Sequence, residues 1–206
     1  VRAKVAALRA TQTSSDGGHA NHYLALAERL ANPPPARLII THGVSACGKS
    51  RAARRVLLHD PAAATLRLRS DVERKRLFDL DAAARSGSPV DGGLYTRNVS
   101  ELTYRRLYEL AEELLAANWS VIVDAAFLER ARRDSFRALA TQAAVAFFIV
   151  APQARPAVLR ARILGRLRKG RDASEATLAV LTQQLGRIEA LAADESDCLL
   201  QSALDA

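Results

Sequence analysis

The sequence predicts an α/β protein built on a parallel, doubly wound sheet with helices on both faces. Two observations carry this. Short apolar runs alternate with helical segments of ten or more residues, the order that parallel sheets with crossover helices require. Several runs are apolar without interruption, as in Leu38-Ile39-Ile40 and Val121-Ile122-Val123, which suits strands buried on both sides.

The elements follow in order. Residues 1–10 read as the end of a helix and 11–18 as a polar loop. Residues 22–30 place Leu24, Leu26, Ala27 and Leu30 on one helical face. Asn32-Pro33-Pro34-Pro35 forbids further helix and marks a stiff boundary, so the expected organisation is a helical extension over 1–32 and a main domain over 37–206. Strand 37–41 leads to helix 49–58, strand 65–69 to a short basic helix over 71–78. Residues 79–93, rich in Gly, Asp, Ser and Pro, predict a mobile connection. A long amphipathic helix over 99–118 precedes the strand 120–124. Helix 129–143, strand 144–150 and helices 154–167 and 174–192 complete the pattern, with a charged stretch at 168–173 between the last two. A short final strand is expected around Leu199.

The 206 residues suffice for one well-buried domain, and about half of them are hydrophobic. No apolar run approaches the roughly 20 residues that span a bilayer, and the first ten residues lack a signal-peptide core. Cys47 and Cys198, the 2 cysteines, make neither a disulfide framework nor a metal-ligand spacing. A cytoplasmic location is expected, without a membrane partner. The sequence contains no Met, so it reads as a piece of a longer protein. Its formal charge of +8 invites nucleic-acid binding, yet the arginines spread over segments that also carry Asp and Glu, and aromatics are few. Solvated helix faces around a phosphate site are the favoured account.

Residues 43–50 carry the most specific signal. Gly43-Val44-Ser45-Ala46-Cys47-Gly48-Lys49-Ser50 matches G-x-x-x-x-G-K-[ST] between a predicted strand and a predicted helix. In that setting successive N–H groups curl around phosphates, and the helix directs the positive end of its dipole at them. Lys49 is expected to reach the β- and γ-phosphates of ATP and Ser50 to ligate Mg²⁺, with Arg51 next to them at the helix start. Many such loops carry glycine where this one has Ala46; if that position needs a positive φ, alanine costs about 1 kcal/mol. Cys47 is expected to react with alkylating reagents and to be protected by nucleotide.

Asp124 ends an apolar strand, as the Mg²⁺-supporting carboxylate of such a site does, or else caps the next helix. Asp71 follows the second strand, at the sheet edge where ligands gather. It reads as a base that takes the proton of an attacking hydroxyl, or as the N-cap of the basic helix, a role also open to Ser70. Arg69, Arg74 and Lys75 are placed to orient an anionic group, and Tyr95 and Arg97 to touch a substrate. Arg162 and Arg166, four apart, either close over the triphosphate or belong to a solvated face. His42 and the Tyr104–Tyr108 pair read as structural, and Trp119 as packing at the start of its strand.

With these residues in place, GVSACGKS, LRSDVERKRLF, VIVDAAFLERARR and RARILGRLRKGRDAS together resemble the small P-loop kinases of the AAA-type, zeta-toxin and chloramphenicol-phosphotransferase-like group. A further likeness is to the C-terminal half of bacterial proteins whose N-terminal half is aminoglycoside-phosphotransferase-like. That likeness implies an upstream domain of this type as a partner within a longer chain, ending in the helix VRAKVAALRA. The resemblance implies a P-loop NTPase three-layer sandwich of about five parallel strands, the loop strand central and the Asp124 strand beside it. It also implies a mobile lid over 162–172 and a base at Asp71. The implied activity is transfer of the γ-phosphate of ATP to a hydroxyl, with a small-molecule acceptor favoured. An ATP-dependent regulatory module and a polynucleotide 5′-hydroxyl kinase are the alternatives.

Overall fold

The computed structural model describes residues 1–13, 18–32, 34–60, 63–81, 96–169, 174 and 176–200. They form two compact units, residues 1–35 and 36–206. The first is a helical pair, α1 (Arg2–Thr13) and α2 (Gly18–Ala31). Both helices run further than the sequence reading, which placed a loop from residue 11 and began the second helix at 22.

In the second unit β1 (Arg37–Thr41), β2 (Thr65–Arg69), β3 (Ser120–Asp124) and β4 (Ala146–Val150) form a parallel sheet of order β2-β3-β1-β4. The strand before the phosphate loop is therefore interior, and the Asp124 strand lies directly beside it. Beyond β4, a single parallel bridge joins Ile149 to Leu199. The peptide N–H of Ile149 donates to the Cys198 carbonyl and that of Leu200 to the Ile149 carbonyl, at 2.8 and 2.9 Å. The expected fifth strand is thus reduced, among the described residues, to one bridge at the sheet edge.

Helices cover both faces because strand side chains alternate between them. Leu38, Ile40, Val121 and Val123 pack with Leu107, Ala111, Leu115, Phe136 and Leu139 of α5 (Arg97–Ala116) and α6 (Arg130–Gln142). Ile39, Ile122 and Val150 meet Ala52, Ala53 and Val56 of α3 (Lys49–Leu58) on the opposite face. The six apolar residues at the centres of β1 and β3 are fully buried, each worth about 1.5–3 kcal/mol in burial. Val99, Thr103, Leu107, Ala111 and Leu115 recur every four residues on α5, giving that helix its single buried stripe. Thr96 caps it by accepting from the Val99 N–H at 3.3 Å. Trp119, expected to pack at the entry to β3, is instead 39% exposed.

Of the remaining elements, α4 (Ser70–Arg76), α7 (Pro156–Lys169) and α8 (Leu178–Arg187) contribute residues to the carboxyl edge of the sheet, and the short α9 (Ala193–Ser196) pairs with the arginines of α6. The sequence reading carried α8 to residue 192. It stops at Arg187 because Ile188 turns extended and the Glu189 N–H donates to the Leu128 carbonyl at 2.9 Å. A tertiary hydrogen bond there outcompetes another helical turn.

Candidate functional site

The ends of β1 and β3 are joined before either strand gives way to loop. The Thr41 hydroxyl donates to the Ala125 carbonyl at 2.7 Å and accepts from the Ala125 N–H at 3.0 Å. The Gly43 N–H donates to the Ala126 carbonyl at 3.0 Å, and His42 Nδ1 donates to the Phe127 carbonyl at 2.9 Å. His42 is buried, and burial holds its imidazole below the usual histidine range, so it is a neutral structural link.

From this anchor residues 43–48 wrap into a loop opening α3. Gly43 has φ 132° and Gly48 φ 116°, values closed to other residues. A Cβ on Gly43 would also meet Cys47 Sγ at 2.9 Å. Ala46, at φ 67°, takes the left-handed conformation without the help of glycine. Lys49 Nζ folds over the loop and donates to the carbonyls of Gly43 and Val44 at 2.8 and 2.7 Å. The Ser45 N–H, on the phosphate-facing run, donates to Gln184 Oε1 of α8 at 2.7 Å. Cys47 is 5% exposed and packs with Val44, Leu159, Ile163 and Leu181. The thiol expected to react with alkylating reagents is thus buried within the loop.

Ser50 Oγ donates to Asp124 Oδ2 at 2.8 Å. Asp124 is 6% exposed, and the same oxygen receives the Arg67 guanidinium and lies 3.9 Å from Arg69 Nε. The carboxylate faces the loop and does not cap the following helix, whose N-cap is Glu129. Ser50 and Asp124 are hard oxygen donors. Among the described residues no cluster of three or more His, Cys, Asp or Glu could enclose a metal by itself. That donor set fits Mg²⁺, which takes one or two protein oxygens and completes its shell with phosphates and water.

These groups line one cavity of about 1500 Å³ at the carboxyl edge of the sheet. Arg51, Arg69, Asp71, Arg74, Arg97, Arg162 and Arg166 line it too, together with loop residues 45–50, whereas Gly43 and Val44 lie outside its lining. Tyr95 lies outside the described residues. Asp71 sits in the first turn of α4 and pairs with Arg74 at 3.2 Å. The capping alternative is overturned, since the N-cap position is Arg69 and no side chain bonds there. Lys75, read as an anion-orienting residue, is 3% exposed and does not line the cavity. Arg162 donates to the carbonyls of Ala46 and Cys47 at 3.0 and 3.4 Å, which joins α7 to the loop, whereas Arg166 donates to the Ala176 carbonyl at 3.2 Å.

Three contributors were not singled out in the sequence. Arg67 had a signal, since Arg67 and Arg69 alternate along a strand and so share a face. Arg132 stacks over Tyr104, 4.1 Å from the ring centre, and pairs with Glu101 at 2.7 Å and Glu129 at 3.2 Å. The Tyr104 hydroxyl accepts from the Phe127 N–H at 3.0 Å, and burial pushes its phenol up. The third is the Arg133–Glu195 pair, each side chain 1% exposed, joined at 2.6 and 3.0 Å. Arg133 also donates to the carbonyls of Phe127 and Leu128, both at 3.1 Å, fixing the segment after Asp124.

An AAA domain family model, AAA_33, matches residues 38–191, which include the loop, the Ser50–Asp124 pair and helices α7 and α8. The chain belongs to this AAA domain family. No curated protein matches it. Among solved structures, the Mycobacterium tuberculosis APS kinase CysC in complex with AMPPNP and APS is similar at 25% identity and TM-score 0.50. That match covers 70% of this chain and 78% of that one. Kti12 of Chaetomium thermophilum in complex with ADP-AlF3 shares the fold at 17% identity and TM-score 0.56, over 74% of this chain and 80% of that one. A chain of the Pnkp1/Rnl/Hen1 RNA repair complex shares it at 17% and 0.55, over 76% of this chain and 46% of that chain. The second unit is a P-loop kinase-like α/β domain. Among the described residues no helix is long and apolar enough to cross a membrane.

Proposed function

We propose that this domain is a kinase that transfers the γ-phosphoryl group of ATP to a hydroxyl on a small acceptor carrying an anionic group. One observation carries the reading. The phosphate loop with its Ser50–Asp124 pair and the carboxylate Asp71 line a single cavity of about 1500 Å³, larger than the roughly 300–1,000 Å³ that one small ligand fills. The similar APS kinase structure, which holds both a nucleotide analogue and a second substrate, supports a two-substrate use of that space.

The loop amides and Lys49 hold the phosphates, and Lys49 exchanges its two loop carbonyls for phosphate oxygens. Ser50 and Asp124 would hold Mg²⁺, which would supply charge neutralisation to the transferring phosphates. Asp71 accepts the proton of the acceptor hydroxyl as that oxygen attacks phosphorus, with Arg74 orienting its carboxylate. Arg162 and Arg166 steady the equatorial oxygens from the lid side. The acceptor end is lined by Arg69, Arg74, Arg97 and Arg132 against the acids Asp71 and Glu129, which favours an anionic acceptor.

The test is phosphoryl transfer from labelled ATP to a panel of phosphorylated, sulfated and neutral alcohols. With an accepted substrate, Asp71→Asn should reduce transfer by about 10²–10⁴-fold and leave nucleotide affinity unchanged. Lys49→Ala should abolish nucleotide binding. Transfer that survives Asp71→Asn would remove the mechanism, and preference for neutral alcohols would remove the anionic acceptor.

A further inference from the structure

Asp124 Oδ2 accepts from the Ser50 hydroxyl and from the Arg67 guanidinium, with Arg69 Nε 3.9 Å away. Asp124 and Arg67 are both largely sealed from solvent, their side chains 4% and 16% exposed. Arg67 Nε is buried without a hydrogen-bond partner, and the guanidinium reaches the carboxylate through Nη2. The register explains the reach. Arg67 lies opposite Ile122 and Arg69 opposite Asp124, so two arginines of one β2 face bracket a single acid on β3. A guanidinium stays protonated at every working pH, so this positive charge is permanent.

A divalent cation held by Ser50 and Asp124 would share that oxygen environment with a fixed cation. Both want the same carboxylate, and with little water between them the repulsion is weakly screened. We propose that Arg67 is a positioning residue that competes with the divalent cation for Asp124. It weakens metal binding and supplies part of the positive charge beside the loop, so that the nucleotide is held with a shallow dependence on divalent metal. The proposal rests on the reading that Ser50 and Asp124 are the Mg²⁺-side groups of a nucleotide site.

The experiment uses the full chain, a non-hydrolysable ATP analogue and Mn²⁺ as the spectroscopic probe. Ternary Mn²⁺ affinity is read by electron paramagnetic resonance, and analogue affinity by calorimetry with Mg²⁺ or with chelator. Arg67→Met, or Arg67→Gln should Met not fold, should bind Mn²⁺ at least about tenfold more tightly than wild type. Its analogue affinity should fall more steeply on chelation. Arg67→Lys, which keeps the charge, should stay within about threefold of wild type. Equal Mn²⁺ affinity in wild type and the neutral variant would overturn the role of Arg67 alone. Failure of every protein to bind Mn²⁺ beyond free nucleotide would overturn the metal reading of Ser50 and Asp124 as well.

Discussion

The guanidinium of Arg162 donates to the carbonyl oxygen of Ala46 at 3.0 Å, tying α7 to the one non-glycine residue of the phosphate loop that holds a positive φ. A charged donor thus steadies a carbonyl whose residue sits at positive φ. Arg162→Ala should lower nucleotide affinity about tenfold, the size of one charge-assisted hydrogen bond. Because Arg162 is exposed, thermal stability should change little. Fluorescent-nucleotide titration beside a melting curve separates the two. An unstable variant with unaltered affinity would show a packing role instead.

Ala46 holds φ 67° with a Cβ that disfavours it. Ala46→Gly should relieve roughly 1 kcal/mol of that strain, offset in part by greater freedom of the unfolded chain. Urea unfolding should show a small net gain in stability and no loss of nucleotide affinity. A clear loss of stability would mean that the methyl group contributes packing that outweighs the strain.

Gln184 Oε1 occupies the Ser45 N–H at 2.7 Å from α8. Gln184→Glu keeps an acceptor there and adds a negative charge beside the phosphate-binding amides. Nucleotide affinity should fall by about tenfold, more at low salt than at high salt. Unchanged affinity in calorimetry at both salt concentrations would place the phosphates far from this amide.

Glu195 is buried against Arg133. Burial alone would raise its carboxyl, but the Arg133 hydrogen bonds and the Ala192 N–H outweigh that and hold it below the usual range. Its folded pKa is depressed, so its stabilisation is present above the unfolded value near 4.5 and is lost as pH falls through the folded value. Glu195→Gln should cost about 3–5 kcal/mol at neutral pH, by leaving Arg133 buried without its counter-charge. The penalty should shrink as the wild type is acidified below about pH 4. Urea midpoints of both proteins across that range test it; a penalty independent of pH would remove the charge from the explanation.

The strands and the phosphate loop were legible because their signals are local. An unbroken Leu38-Ile39-Ile40 run, a Gly43–Gly48 spacing and a lysine–serine pair at a helix start each state their own conformation. The Asp124 carboxylate was legible as a strand end, and so was Asp71, though its capping alternative needed the structure to remove it. Helix ends were less readable: α8 closes early because a Glu189–Leu128 hydrogen bond claims the chain, and nothing within its own residues signals that contact.

The sequence by itself determined the layered α/β order and the phosphate loop, since each depends on neighbours in the chain, whereas the positive φ that makes alanine costly at position 46 came from the structure. Tertiary structure decided what lies across from these features. It turned Cys47 inward to Leu159 and Ile163, and it set Gln184 on the Ser45 amide. Arg133 and Glu195, 62 residues apart, met in the interior, and Arg67 came to lie against Asp124. Those pairings depend on which strands are adjacent and how they are registered, and only the closed sheet specifies both.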